Sequence, residues 1–72
     1  MIITKHAIQR FKERITSESP EVIRIFIEAD VKSSTILYRL NNIEKRICNG
    51  VIYVLDCTNE TTPKVITLYL AH

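Results

Sequence analysis

Glycine occurs once in this 72-residue chain and proline twice; tryptophan is absent and methionine occurs once. So few chain-loosening residues exclude a flexible or low-complexity protein. No repeat, linker or biased tract divides the sequence, so residues 1–72 read as one domain. The two cysteines, Cys48 and Cys57, form no C-x-x-C pair and have no histidine at matching spacing, which argues against a zinc site. In the hairpin derived below they lie about 20 Å apart, far beyond the ~7 Å between Cα atoms that a disulfide spans. Both are expected as reduced thiols in ordinary packing positions, as in a cytosolic protein. No apolar run approaches the roughly 20 residues that cross a bilayer. The start, MIITKHAIQR, lacks the uninterrupted hydrophobic segment of a signal peptide. A cytoplasmic protein without membrane association is expected, with no metal and no other cofactor.

What the chain does hold is aliphatic. Apolar residues make up 46% of it and twelve residues are isoleucine. In so small a domain, burial at about 25 cal/mol/Å² only roughly offsets chain entropy, so the core has to be dense, and homodimerisation is one way to extend it. Net charge is only +2, but it is unevenly spread. Residues 1–14 carry Lys5, Arg10, Lys12 and Arg14 against Glu13 alone, while residues 15–34 carry two basic and four acidic groups. A local basic segment can bind phosphate although the total is nearly neutral; the plainer reading of the same charges is a solvated helix face.

Thr4 caps a first helix over roughly residues 5–15, in which Ile3, Ala7, Phe11 and Ile15, with Ile8 beside them, form an apolar stripe. Ser19 as cap, Pro20 in the first turn and Glu21 after it start a second helix over 20–33. Val22, Ile23, Phe26, Ile27 and Ala29 fill most of its circumference, leaving a polar stripe of Arg24, Glu28 and Lys32. The period then changes to two. Strands are predicted over 35–40, 43–48, 51–56 and 64–70, with turns at Asn41-Asn42 and Asn49-Gly50. The fold class is α+β: two N-terminal helices packed on one face of a four-stranded antiparallel sheet, a meander.

Two-residue turns at both sites set Ile47 opposite Ile52, Lys45 opposite Val54, Leu40 opposite Ile43, Tyr38 opposite Lys45 and Ile36 opposite Ile47. One face then gathers Ile36, Tyr38, Leu40, Ile43, Ile47, Ile52 and Val54, with Lys45 as its one misfit. This is the expected core face, joined by Ile66, Leu68 and Leu70. The other gathers Leu37, Arg39, Glu44, Arg46, Tyr53 and Leu55, joined by Val65, Thr67 and Tyr69.

His6, Arg10 and Arg14 recur every four residues and so form one row on the first helix. A histidine can carry a proton, and arginines can hold phosphate oxygens and stabilise developing charge. Metal-free RNA cleavage needs that set, with an aromatic for base stacking, for which Tyr69 or Tyr53 is a candidate, and a hydroxyl such as Thr67 on the phosphate. Arg46, beside Tyr53, is read either as substrate-binding or as a structural cation–π contact. Arg39 opposite Glu44 is read as a cross-strand ion pair.

The segment ITKHAIQRFKERI, a second helix, a strand meander and a terminal VITLYL together resemble small domains of the barnase, colicin D and RelE-like ribonuclease superfamily. The likeness is greatest to those with H-x3-R-x3-R on the first helix. The resemblance implies an endoribonuclease with His6 as acid/base, Lys5 just before it, Arg10 and Arg14 as phosphate-binding cations, Thr67 as the hydroxyl of the last strand and Tyr69 as its aromatic. Its substrate would be RNA, transfer RNA among the options, cleaved through the 2′-hydroxyl without a metal; a toxin-like RNA-binding relative is included. The alternative is a non-enzymatic interaction protein of a phage or mobile element. It would bind a protein partner or homodimerise through the sheet edge and the outer face, assigned here to Leu37, Val51, Tyr53, Leu55, Val65 and Tyr69. The terminal residue, His72, reads as a frayed end.

Overall fold

A computed structural model describes residues 1–71; His72 lies outside them. The elements are β1 (Ile2–Ile3), α1 (Lys5–Arg14), α2 (Pro20–Ser33), β2 (Thr35–Leu40), β3 (Ile43–Cys48), β4 (Val51–Asp56) and β5 (Lys64–Leu70). Both helices begin where their caps were read. Thr4 Oγ1 accepts from the Ala7 amide at 3.1 Å, and Ser19 Oγ from the Val22 amide at 3.3 Å, each occupying an amide that the helix leaves unpaired.

The fold is α+β, but the sheet has five strands in the order β1-β5-β4-β3-β2 and is mixed. β2 to β5 form the expected antiparallel meander, and β1 adds a parallel partner for β5, with Ile2 beside Lys64 and Ile3 beside Val65. A two-residue strand is too short to carry a periodicity, which is why it escapes a reading by pattern. It is held by Ile2 N–H donating to Pro63 O at 2.9 Å and Thr4 N–H to Val65 O at 3.1 Å.

The β3–β4 hairpin has the register set by its turn, with Ile47 opposite Ile52 and Lys45 opposite Val54. Asn49 and Gly50 both have positive φ, 53° and 76°, as a type I′ turn requires. Across β2–β3, Leu40 faces Ile43 and Tyr38 faces Lys45, but the register then shifts between Ile36 and Tyr38. Ile36 therefore lies opposite Arg46 instead of Ile47, and Leu37 is the extra residue of a bulge.

On β3 and β4 the two faces are reversed from expectation, whereas on β5 Leu68 lies in the core and Thr67 and Tyr69 outside it, as expected. The helices cover Val51, Tyr53, Leu55, Val65 and Leu68, which join Ala7, Ile8, Phe11, Ile23, Ile27 and Val31 in one core cluster. Ile43, Lys45, Ile47 and Ile52 lie on the uncovered face, together with Tyr38, Leu40, Val54, Thr67 and Tyr69. The reason is positional. The helix side is apolar on β4 and β5, where the core cluster lies, with α1 against β5 and α2 reaching β3. Its charged members, Arg39, Glu44 and Arg46, sit on β2 and β3 at the margin, where they pair with one another. A second bulge, at Ile66 opposite the Val54–Leu55 step, puts Val65 in the core and leaves Thr67 and Tyr69 outside it. Ile15 and Phe26, placed in the apolar stripes by sequence, are 40% and 42% exposed. The buried stripe of α2 is Ile23, Ile27 and Val31.

Candidate functional site

Thr4 anchors α1 directly to the last strand. Besides capping the helix, its hydroxyl donates to Ile66 O at 3.2 Å. Burial of Ala7, Ile8 and Phe11 then fixes how the helix is rotated on the sheet. On one flank Lys5, Ile8, Gln9 and Lys12 share a hollow of about 340 Å³ with Pro20 and Arg24 of α2. The 100° step between successive residues places His6, Arg10 and Arg14 on the other flank, away from α2.

Within that row Arg10 Nε donates to His6 Nε2 at 3.5 Å, and His6 is exposed. The imidazole therefore stands beside a guanidinium, so any phosphate oxygen held by Arg10 lies next to it. Among the described residues, Lys5, Arg10, Lys12 and Arg14 have no carboxylate within 4.0 Å, whereas Lys32, Arg39 and Arg46 are all paired with glutamates. The acid of α1, Glu13, instead accepts from Gln9 Nε2 at 3.2 Å. The helix thus presents cations without internal counter-charges, which is what a polyanion requires.

The other residues singled out by sequence do not join the row. Thr67 faces Val54 and Tyr69 faces Ile52, both on the sheet surface turned away from α1. Tyr53 is fully buried and its hydroxyl donates to Asp30 Oδ2, so its ring offers no surface to a base. Arg46 is not stacked on Tyr53. Its Nη1 donates to Glu44 Oε1 at 2.7 Å and its Nε to Ser34 Oγ at 2.6 Å, tying β3 to the end of α2. The ion pair of Arg39 with Glu44 is present at 4.0 Å, and Arg39 also holds Glu60 at 2.9 Å. Cys48 and Cys57 are free, and burial pushes both thiols above the ordinary cysteine value, so neither is an activated nucleophile. Among the described residues no group of three or more His, Cys, Asp or Glu side chains is placed to hold a metal ion, and no helix is long and apolar enough to cross a membrane.

One cluster was missed by sequence reasoning. Lys45 Nζ lies 5.6 Å from the ring centroid of Tyr38 and 5.4 Å from that of Tyr69, on the uncovered sheet face. The signal was available: Lys45 was the one residue that did not fit an apolar face. No protein family, curated protein or solved structure matches this chain.

Proposed function

We propose that this chain is a small RNA-binding domain that holds the phosphate backbone through α1 and cleaves it through His6 as a metal-independent endoribonuclease. The observation that carries the reading is the His6–Arg10 contact set within a helix whose four cations have no carboxylate partner. In the proposed reaction His6 takes the proton of the 2′-hydroxyl as its oxygen bonds to phosphorus. The bond from phosphorus to the 5′-oxygen breaks, and that oxygen is protonated by water. Arg10 and Arg14 stabilise the charge gathering on the non-bridging oxygens. The products are a 2′,3′-cyclic phosphate and a 5′-hydroxyl. Thr67 and Tyr69, on the opposite sheet face, take no part in this step.

The binding half is tested by salt. Replacing Arg10 and Arg14 together by alanine is expected to weaken binding of a labelled oligoribonucleotide and to reduce the slope of log K against log salt by about 1.4, roughly 0.7 for each lost phosphate contact on a single strand. Fluorescence anisotropy across a salt series reads both quantities, and an unchanged slope rejects the assignment.

A second reading, a non-enzymatic module that pairs with a protein or with its own copy, is favoured by the exposure of Tyr38, Leu40, Ile43 and Tyr69 on the sheet face without helices. It predicts a dimer or a captured partner, whereas the RNA reading requires neither. Multi-angle light scattering separates the two.

A further inference from the structure

The uncovered face of the sheet is apolar at its periphery and charged at its centre. Tyr38 and Leu40 are 51% and 67% exposed and Tyr69 is 40% exposed. Between the two tyrosines stands Lys45. To reach Tyr69 on β5 from its place on β3, its stem crosses β4 above Val54, the residue opposite it, and Val54 is buried. Both ring centroids lie within the roughly 6 Å over which a cation and an aromatic face attract. The tyrosines, Tyr69 first, hold the ammonium above the ordinary lysine value, so it stays charged.

The nearest carboxylate on this face is of no use to Lys45. Asp56 lies at the rim opposite Lys64, where it accepts from the Thr58 amide at 3.0 Å and the Thr58 hydroxyl at 2.7 Å. Among the described residues no carboxylate lies within 4.0 Å of Lys45 Nζ, which leaves the ammonium open to the negative charge of a ligand. A second copy stacked on this face about a central two-fold axis would bury two Lys45 ammoniums against each other with no acid between them, which is costly. A single-stranded nucleic acid meets every requirement: flat bases for the rings, a phosphate for the ammonium, and a non-specific apolar bed below.

We infer that this face is a stacking platform for unpaired RNA, with Tyr38 and Tyr69 each taking a base and Lys45 the phosphate between them. The inference rests on the RNA-binding reading of α1 and deepens it, because α1 supplies charge alone and the platform selects unpaired strands. Paired bases are stacked inside a duplex and cannot lie on the tyrosines.

The test compares a labelled 2′-O-methyl oligouridylate, which cannot be cleaved through its 2′-position, with a labelled RNA duplex of the same length. Tyr38→Ala and Tyr69→Ala are each expected to weaken oligouridylate binding by about 5- to 150-fold, the range for loss of one stacked base, with duplex binding changed less than about twofold. Tyr38→Phe and Tyr69→Phe keep the ring and should keep the affinity. Lys45→Ala should lower the single-strand salt slope by about 0.7. Circular dichroism confirms that each variant is folded before its affinity is counted. If the tyrosine variants bind as the unaltered chain does while the Arg10, Arg14 double variant does not, the platform is rejected and the α1 reading stands. If the unaltered chain binds neither RNA, both are rejected. If light scattering shows a dimer that Tyr38→Ala dissolves, the face is a contact between copies and the inference is overturned.

Discussion

Replacing His6 by alanine is expected to lower RNA cleavage at least ~100-fold while RNA affinity changes by less than about twofold, because general acid–base catalysis by one side chain contributes about 10²- to 10⁴-fold. The substitution is structurally mild. His6 is exposed near the start of α1, outside the core cluster, and alanine is the better helix former. Among the described residues its one side-chain hydrogen bond is from the Arg10 Nε donor at 3.5 Å, so its loss frees the guanidinium of a half-buried residue. Arg10→Ala should behave differently, lowering affinity and rate together, since the guanidinium is proposed to hold the phosphate in both the ground state and the transition state. Denaturing gels of a labelled substrate, with the cyclic phosphate product identified by its mass, give the rates. Full activity in the His6 variant would remove the catalytic assignment. Retained binding with no cleavage by the unaltered chain would leave an RNA-binding domain without the chemistry.

The row of His6, Arg10 and Arg14 was legible because an i, i+4, i+8 spacing is converted into a helix face by geometry alone, and the cap at Thr4 and the burial of Ala7 and Phe11 lie within a few residues of it. Turns were legible for the same reason. Asn49-Gly50 needs two positive φ values, and the residues that tolerate them stand next to each other. What could not be read locally was decided by distant parts of the chain. β1 exists only because Ile2 and Ile3 meet Lys64 and Val65, more than sixty residues away.

The face error has the same origin. Counting apolar residues per face treats every charge as a mark of the outside, whereas Arg39, Glu44 and Arg46 pair with one another on the helix side, where Glu44 is buried and Arg46 is tied to the end of α2. Tyr53 and Leu55 therefore define the core, although Arg39, Glu44 and Arg46 share their face. The bulges at Leu37 and Ile66 carry no glycine or proline to announce them, and each moves the strand beyond it to the opposite face. The same inversion brings Lys45 to the surface between Tyr38 and Tyr69. Thr67 and Tyr69 lie on the face away from the helices in the expected arrangement and in the structure alike, so they do not meet the His6 row.

Tyr53→Ala is expected to remove a large share of the stability of the fold, read as a sharply lowered denaturant midpoint. Removing a fully buried aromatic costs about 3–5 kcal/mol, against a total stability of about 4–11 kcal/mol for a domain of this length. Tyr53→Phe keeps the packing but strands Asp30, whose carboxylate loses the hydroxyl that donates to it, at a cost of about 1–3 kcal/mol. These two variants also separate packing from titration. Burial first, and Asp30 second, raise the Tyr53 phenol far above its ordinary value, so it keeps its proton in the folded chain at any pH the fold survives. In the unfolded chain it ionises near pH 10. The folded state then binds the extra proton, so this contribution is complete below about pH 10 and declines as pH rises further, by at most ~1.4 kcal/mol per pH unit. Denaturant unfolding of the unaltered chain and of Tyr53→Phe, followed by circular dichroism from pH 8 to about pH 11, should give stabilities that converge above pH 10. Parallel curves would mean that the phenol titrates alike in both states. The hydroxyl would then be exposed to solvent, and the helix layer would not rest on this face of the sheet.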